Sequence, residues 1–251
     1  MTKHILLYLF ISINSQFPLN SQSAIIGEDN RRHIGQTASE TAILSIGIIG
    51  PPSFTKGKIK RGTAFVVGNG QVLVTSYHNI FFEDGRLKYP KVVLHRPDIR
   101  SDEVLVSEVD IDYYINNKPS LYPKNGQIIY GLNDDEDYIV LPLKEKVSDS
   151  PFILKEYNKL DKIRLIIGFA HDRRIKLGAV FHGGCKIIDW PRIVSGLSKN
   201  VIFHDCDTVG GTSGSPLVLD TTDGKLTTSM IHGGGSLEKD FNYAVPITKE
   251  I

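Results

Sequence analysis

Gly210-Gly211-Thr212-Ser213-Gly214-Ser215-Pro216 is the stretch on which the reading of this chain turns. Two glycines before a serine and one after it allow backbone angles that a β-carbon forbids, so neighbouring N–H groups turn toward one point. Taken alone, such a string reads equally well as a Gly/Ser-rich turn between strands. Taken as a chemical site, it aims the hydroxyl of Ser213 at a reacting carbon and offers the N–H groups of Gly211 and Ser213 to a developing oxyanion. Ser215 is then a turn residue.

A serine hydroxyl is a weak nucleophile at neutral pH and needs a base, itself held by a carboxylate. The segment Val72-Leu73-Val74-Thr75-Ser76-Tyr77-His78-Asn79-Ile80 supplies one, because His78 directly follows a strand-like run. In isolation His78 is an ordinary surface or core histidine. Asp137 supplies the carboxylate. It closes the acidic run Asn133-Asp134-Asp135-Glu136 and opens the apolar run Tyr138-Ile139-Val140-Leu141. A charge at the mouth of a buried strand is costly unless something meets it, and His78 is the natural partner. Asp134, Asp135 and Glu136 are expected to stay in solvent.

The rest of the chain reads as short apolar or alternating runs cut by turn residues. The first six are Ala42–Ile49, Thr63–Val67, Gln71–Thr75, Lys91–His95, Val104–Tyr114 and Asp137–Leu143, punctuated by Gly68-Asn69-Gly70 and Asp84-Gly85. Such runs predict strands and hairpins. A charged stretch around Pro151 reads as a crossing between two units. Six further runs follow: Lys162–Gly168, Ala179–Asp189, Asn200–His204, Ser215–Leu219, Lys225–His232 and Asn242–Ile247. Six strands on each side favour an all-β fold of two packed six-stranded antiparallel β-barrels, which leaves no open sheet edges. The barrels are assigned to residues 42–146 and 161–251, with the crossing at 147–160 and a surface-wrapping segment at 24–41. A single β-sandwich competes with this architecture.

Composition sets limits on partners. Lys and Arg total 29 and Asp and Glu 28, for a formal net charge of +1, so no global field attracts nucleic acid or an anionic membrane. The cluster Lys56-Gly57-Lys58-Ile59-Lys60-Arg61 reads as a solvated loop. At the N-terminus, Lys3 and His4 precede an apolar run from Ile5 to Ile13, with small residues at Ser21 and Ser23. This fits a secretory signal peptide over residues 1–23, too short to span a bilayer, and hence a secreted protein. In an oxidising compartment Cys185 and Cys206 are expected to form one disulfide. His182 and His204 leave a four-ligand zinc set as the alternative.

In chain order, the strand ending near Thr75 before His78, Asp137, and Gly211-Thr212-Ser213-Gly214-Ser215-Pro216 resemble the chymotrypsin-like serine endopeptidases. Their order of His, Asp and Ser belongs to the double β-barrel. Within that group the chain is similar to the bacterial branch containing the glutamyl endopeptidases. Asp207-Thr208-Val209-Gly210-Gly211, Ile231-His232-Gly233-Gly234, Asn242-Tyr243-Ala244-Val245 and Ile26-Gly27-Glu28-Asp29-Asn30-Arg31 carry the likeness. The resemblance implies catalytic residues His78, Asp137 and Ser213, an active site in the cleft between barrels, polypeptide substrates, a monomer and no cofactor or metal. It further implies that His232 lines the primary specificity pocket and that, with Thr208, it receives an acidic substrate side chain. Two donors converging on a carboxylate make a charge-assisted site. Asp207 keeps a Lys/Arg preference open, and a silent protease-fold binding module is a third reading. Thr212 stands where trypsin-like animal enzymes carry the Asp that pairs with the amine released on zymogen cleavage, so that switch is absent. Ile139 stands where a small residue is usual.

Overall fold

Residues 62–67 show how this chain builds a sheet with two buried faces. Ala64 and Val66 point into one apolar cluster with Leu73, Leu94, Ile139 and Leu141, whereas Phe65 and Val67 point into another with Phe152, Phe169, Val218 and Ile231. Period-two alternation therefore appears as an unbroken apolar run. The computed structural model describes residues 25–26, 28–33, 44–53, 62–82, 85–97, 104–121, 137–170, 180–188, 201–220, 225–236 and 241–247. The expected leader, the Lys56–Arg61 cluster and the acidic run at 134–136 lie outside them.

The first sheet contains β2 (Ile46–Gly50), β3 (Gly62–Val67), β4 (Val72–Thr75), β5 (Val93–Pro97), β6 (Val104–Glu108) and β7 (Ile139–Pro142), after β1 (Arg32–His33) has joined the other sheet. Its order is β6-β5-β2-β3-β4-β7, antiparallel throughout. A Val109–Leu143 bridge closes it, flanked by the Asp110 N–H to Pro142 O at 2.9 Å and the Lys144 N–H to Glu108 O at 3.0 Å. The β3–β4 hairpin turns at Gly68-Asn69-Gly70. Gly68 and Gly70 have φ of 65° and 89°, and a Cβ on Gly70 would lie 1.9 Å from the Ser148 carbonyl oxygen. Glycine is required there.

The second sheet runs β10 (Val180–Gly183), β9 (Ile163–Gly168), β12 (Pro216–Leu219), β13 (Thr227–Ser236), β14 (Phe241–Pro246) and β11 (Ile202–His204). An Ile187–His204 bridge closes it, with the Ile188 N–H donating to Phe203 O at 3.0 Å. Two short strands bring it to eight: β1 pairs with β10, and β8 (Ile153–Leu154) lies parallel to β13. The expected pair of six-stranded antiparallel barrels is thus present, and the single sandwich is not.

Two expectations are corrected. The run Val104–Tyr114 is not one strand: β6 ends at Glu108 and α1 (Ile111–Leu121) follows. Asp110 makes the switch, its Oδ1 accepting the Tyr113 N–H at 3.0 Å as a helix cap. The second correction lengthens the strand expected to end at His232, since β13 continues to Ser236. The sulfurs of Cys185 and Cys206 form a disulfide across 21 positions, excluding both thiols from a zinc set. A loop of that length is stabilised by about 3 kcal/mol.

Phe65 is fully buried between the barrels, its ring edge-to-face with Phe152 at 5.3 Å. Phe65→Ala is expected to lower unfolding free energy by about 3–5 kcal/mol in denaturant titrations. A loss under about 1 kcal/mol contradicts a shared core.

Candidate active site

β4 and β7 pair so that Thr75 lies opposite Ile139, leaving the residues just beyond each strand end side by side. His78 sits in a 3-10 turn, Tyr77–Asn79, and Asp137 precedes β7 by two residues. The Asp137 carboxylate is buried, and His78 meets it twice. The His78 backbone N–H donates to Oδ1 at 3.0 Å, and Nδ1 lies 2.5 Å from Oδ2. With the proton on Nδ1, the neutral ring keeps an acceptor lone pair on Nε2. The His78 side chain remains 31% exposed. Ile139 is fully buried. The Lys88 ammonium donates to the His78 carbonyl.

Ser213 follows a backbone that only glycines permit. Gly211 and Gly214 have φ of 100° and 88°. Thr212 hydrogen-bonds back to the Val209 carbonyl through both N–H and hydroxyl, at 3.1 and 2.7 Å. The Ser213 hydroxyl donates to the Gly233 carbonyl at 3.3 Å, and no hydrogen bond joins it to His78. Among the described residues, the N–H groups of Gly211 and Ser213 have no acceptor. Ser215 is fully buried, its Oγ facing Gly168 without a hydrogen-bond partner among the described residues.

Asp207 is expected beside a specificity pocket; the structure gives its carboxylate other work. Oδ1 accepts the Ile26 N–H at 2.9 Å and Oδ2 accepts the Asn30 N–H at 2.8 Å. His182 Nδ1 accepts the Asp207 N–H at 2.6 Å and lies 3.6 Å from Oδ2. Arg31, buried and paired with Asp29 at 2.8 Å, continues the same segment into β1. Thr208 is fully buried, its hydroxyl donating to Asn242 Oδ1 at 2.7 Å, while Asn242 Nδ2 donates to the Cys206 carbonyl at 2.8 Å.

His232 has a partner in His204, which the sequence suggests only as a zinc candidate. The Cys206 N–H donates to His204 Nδ1 at 3.3 Å, so the His204 proton belongs on Nε2, 3.2 Å from His232 Nδ1. His232 also hydrogen-bonds to the Tyr243 backbone. Burial pushes the His204 pKa down to about 3 against an opposing hydrogen bond with the Tyr243 backbone. Burial, then the His204 and His78 charges, holds His232 well below its ordinary value. Both rings are neutral donors at physiological pH. The glycines after His232 make room, since a Cβ on Gly233 would lie 2.5 Å from the Tyr243 ring.

These two closed barrels, with His78, Asp137 and Ser213 at their junction, have the fold of the chymotrypsin-like serine proteases. A Glu endopeptidase solved in complex with MPD shares 14% identity at a TM-score of 0.62, over 90% of this chain and 94% of its own. Protease Anisep from Arthrobacter nicotinovorans shares 13% at 0.57, over 84% and 93%. Neuropsin from mouse brain shares 14% at 0.56, over 82% and 90%. No protein-family model matches the sequence, and no curated protein matches it.

The buried imidazoles set a pH dependence. An unfolded histidine takes up a proton near 6.5, whereas folded His204 does so at about 3. Between those limits the unfolded state binds more protons, so stability is full above 6.5 and is lost as pH falls toward 3. Each ring contributes up to about 1.4 kcal/mol per pH unit. Urea midpoints measured against pH are expected to fall on acidification, with a shallower slope in His204→Gln. Equal slopes contradict the neutral pair.

Proposed function

We propose that the chain is a secreted serine endopeptidase that hydrolyses peptide bonds through an acyl-enzyme, with a preference for Glu before the scissile bond. The single observation that carries the reaction is the buried Asp137 carboxylate accepting both the backbone and ring N–H of His78. A carboxylate so placed orients the ring and stabilises its cation, leaving Nε2 to accept the Ser213 proton. Ser213 Oγ leaves the Gly233 carbonyl for Nε2 as substrate enters, because catalytic hydrogen bonds often tighten only in the complex. Oγ attacks the carbonyl carbon, and the Gly211 and Ser213 N–H groups hold the oxyanion. Each such donor is worth about 3 kcal/mol in the transition state. His78 returns its proton to the leaving amine, and water repeats the cycle on the acyl-enzyme. No metal or organic cofactor enters these steps. The disulfide agrees with an oxidising, extracytosolic compartment.

The Glu preference rests on the neutral His232 donor and on the way Asp207 is used. An acid that accepts two N–H groups from residues 26–30 is turned away from a substrate side chain. In this reading Thr208 Oγ1 exchanges Asn242 Oδ1 for the substrate carboxylate, with His232 as the second donor. A Lys/Arg preference instead requires Asp207 to leave both N–H groups unpaired, at a desolvation cost of about 1–3 kcal/mol each.

A fluorophosphonate probe is expected to label Ser213 in the wild type and not in Ser213→Ala; Ser215→Ala should still label. Absence of wild-type labelling supports the silent module, which the Ser213–Gly233 hydrogen bond favours. Mass spectrometry of products from a denatured protein mixture should show cleavage after Glu. Asp207→Asn should keep that preference; cleavage after Lys or Arg, lost in Asp207→Asn, assigns the pocket to Asp207.

A further inference from the structure

Asn79, the residue after His78, reaches across the barrel junction to the backbone of Ser213. Its Nδ2 donates to the Ser213 carbonyl at 2.9 Å and lies 3.0 Å from Thr75 Oγ1. The same carbonyl accepts the Thr63 N–H at 2.8 Å. Thr63 Oγ1 donates to the Gly211 carbonyl at 2.9 Å while accepting the Phe169 N–H at 2.9 Å. Thr75 Oγ1 donates to the Thr63 carbonyl at 2.6 Å. The site is built around these contacts. A Cβ on Gly62 would lie 2.0 Å from Asn79 Nδ2, and one on Gly214 would lie 2.1 Å from the Thr63 carbonyl oxygen.

The carbonyls of Gly211 and Ser213 bracket the Thr212–Ser213 peptide, whose N–H belongs to the oxyanion site. Both are pinned by residues of the first barrel, so that N–H is held between two fixed points. A carboxamide is suited to the second point, since its NH2 serves the Ser213 carbonyl and Thr75 together. Thr212 precludes the Asp-to-amine contact that would otherwise order this loop. We propose that Asn79, seconded by Thr63, is a positioning residue that ties the His78 turn to the nucleophile loop and holds the oxyanion donors in working geometry. This inference rests on the endopeptidase reading of Ser213.

The test separates geometry from stability. Asn79→Leu removes the donors at similar volume. Under saturating fluorophosphonate, its maximal labelling rate per folded molecule is expected to fall about 100-fold, the scale of an ångström of misplacement. The half-saturating probe concentration should stay unchanged. Ser45→Ala, which removes a buried 2.6 Å hydrogen bond to Ser148 within the first barrel, supplies the control. It should lose stability and keep the wild-type rate. If Asn79→Leu does not fold, Asn79→Asp keeps the size and sets an oxygen against the Ser213 carbonyl, with the same loss expected. A folded Asn79 variant labelling at the wild-type rate overturns the positioning role and leaves the endopeptidase reading standing. A wild type that does not label overturns both.

Discussion

A carboxylate buried at the end of a strand needs donors, and in this chain one residue supplies both. Asp137 is 6% exposed and accepts the backbone and ring N–H of His78. Removing the His78 ring would leave that buried charge short of a donor, which costs several kcal/mol. The pairing of β4 with β7 is therefore under electrostatic as well as apolar constraint. A slip of one residue would reverse every side chain on β7 and separate Asp137 from His78. From that fixed corner the 3-10 turn carries Asn79 to Ser213, and Thr63 in β3 reaches Gly211. The chemistry of the junction and the register of the first barrel are one problem.

The same economy appears in the second barrel, where the polar groups form a continuous buried chain. Asn242 joins Thr208 to the Cys206 carbonyl, and the Cys206 N–H fixes the tautomer of His204 beside His232. A low-dielectric interior makes each unsatisfied member expensive, so the members hold one another in place. The disulfide at Cys206 anchors one end. Burial makes the histidines neutral, and neutrality makes them useful as donors, since a charged pair at 3.2 Å would repel.

Much of this was legible in the sequence because it was local. Glycine turns, alternating runs and the order of His78, Asp137 and Ser213 located twelve strands and the residues the fold brings together. Both-face burial explains why β3 reads as a plain apolar run. What escaped was either too short or too distant to leave a pattern. β1 and β8 have two residues each and no period to detect. Helix α1 hid in the alternation of Val-Asp-Ile-Asp-Tyr-Tyr, where Asp110 acts through a cap rather than a pleat. Asn79 and Thr63 carry no motif. Their partners lie 134 and 148 positions away, and only the packing of one barrel on the other reveals them.

Asp207 shows why a residue type in a pocket-forming position is weaker information than its hydrogen bonds. By sequence it is an acid six places before Ser213, the placement that favours a basic substrate. In the structure its two oxygens are occupied by the N–H groups of Ile26 and Asn30, and its own N–H by His182. A basic side chain reaching it would have to displace both N–H groups. The negative charge is balanced by backbone dipoles before any ligand arrives. The N-terminal segment has therefore already consumed the acceptors that Asp207 would otherwise present.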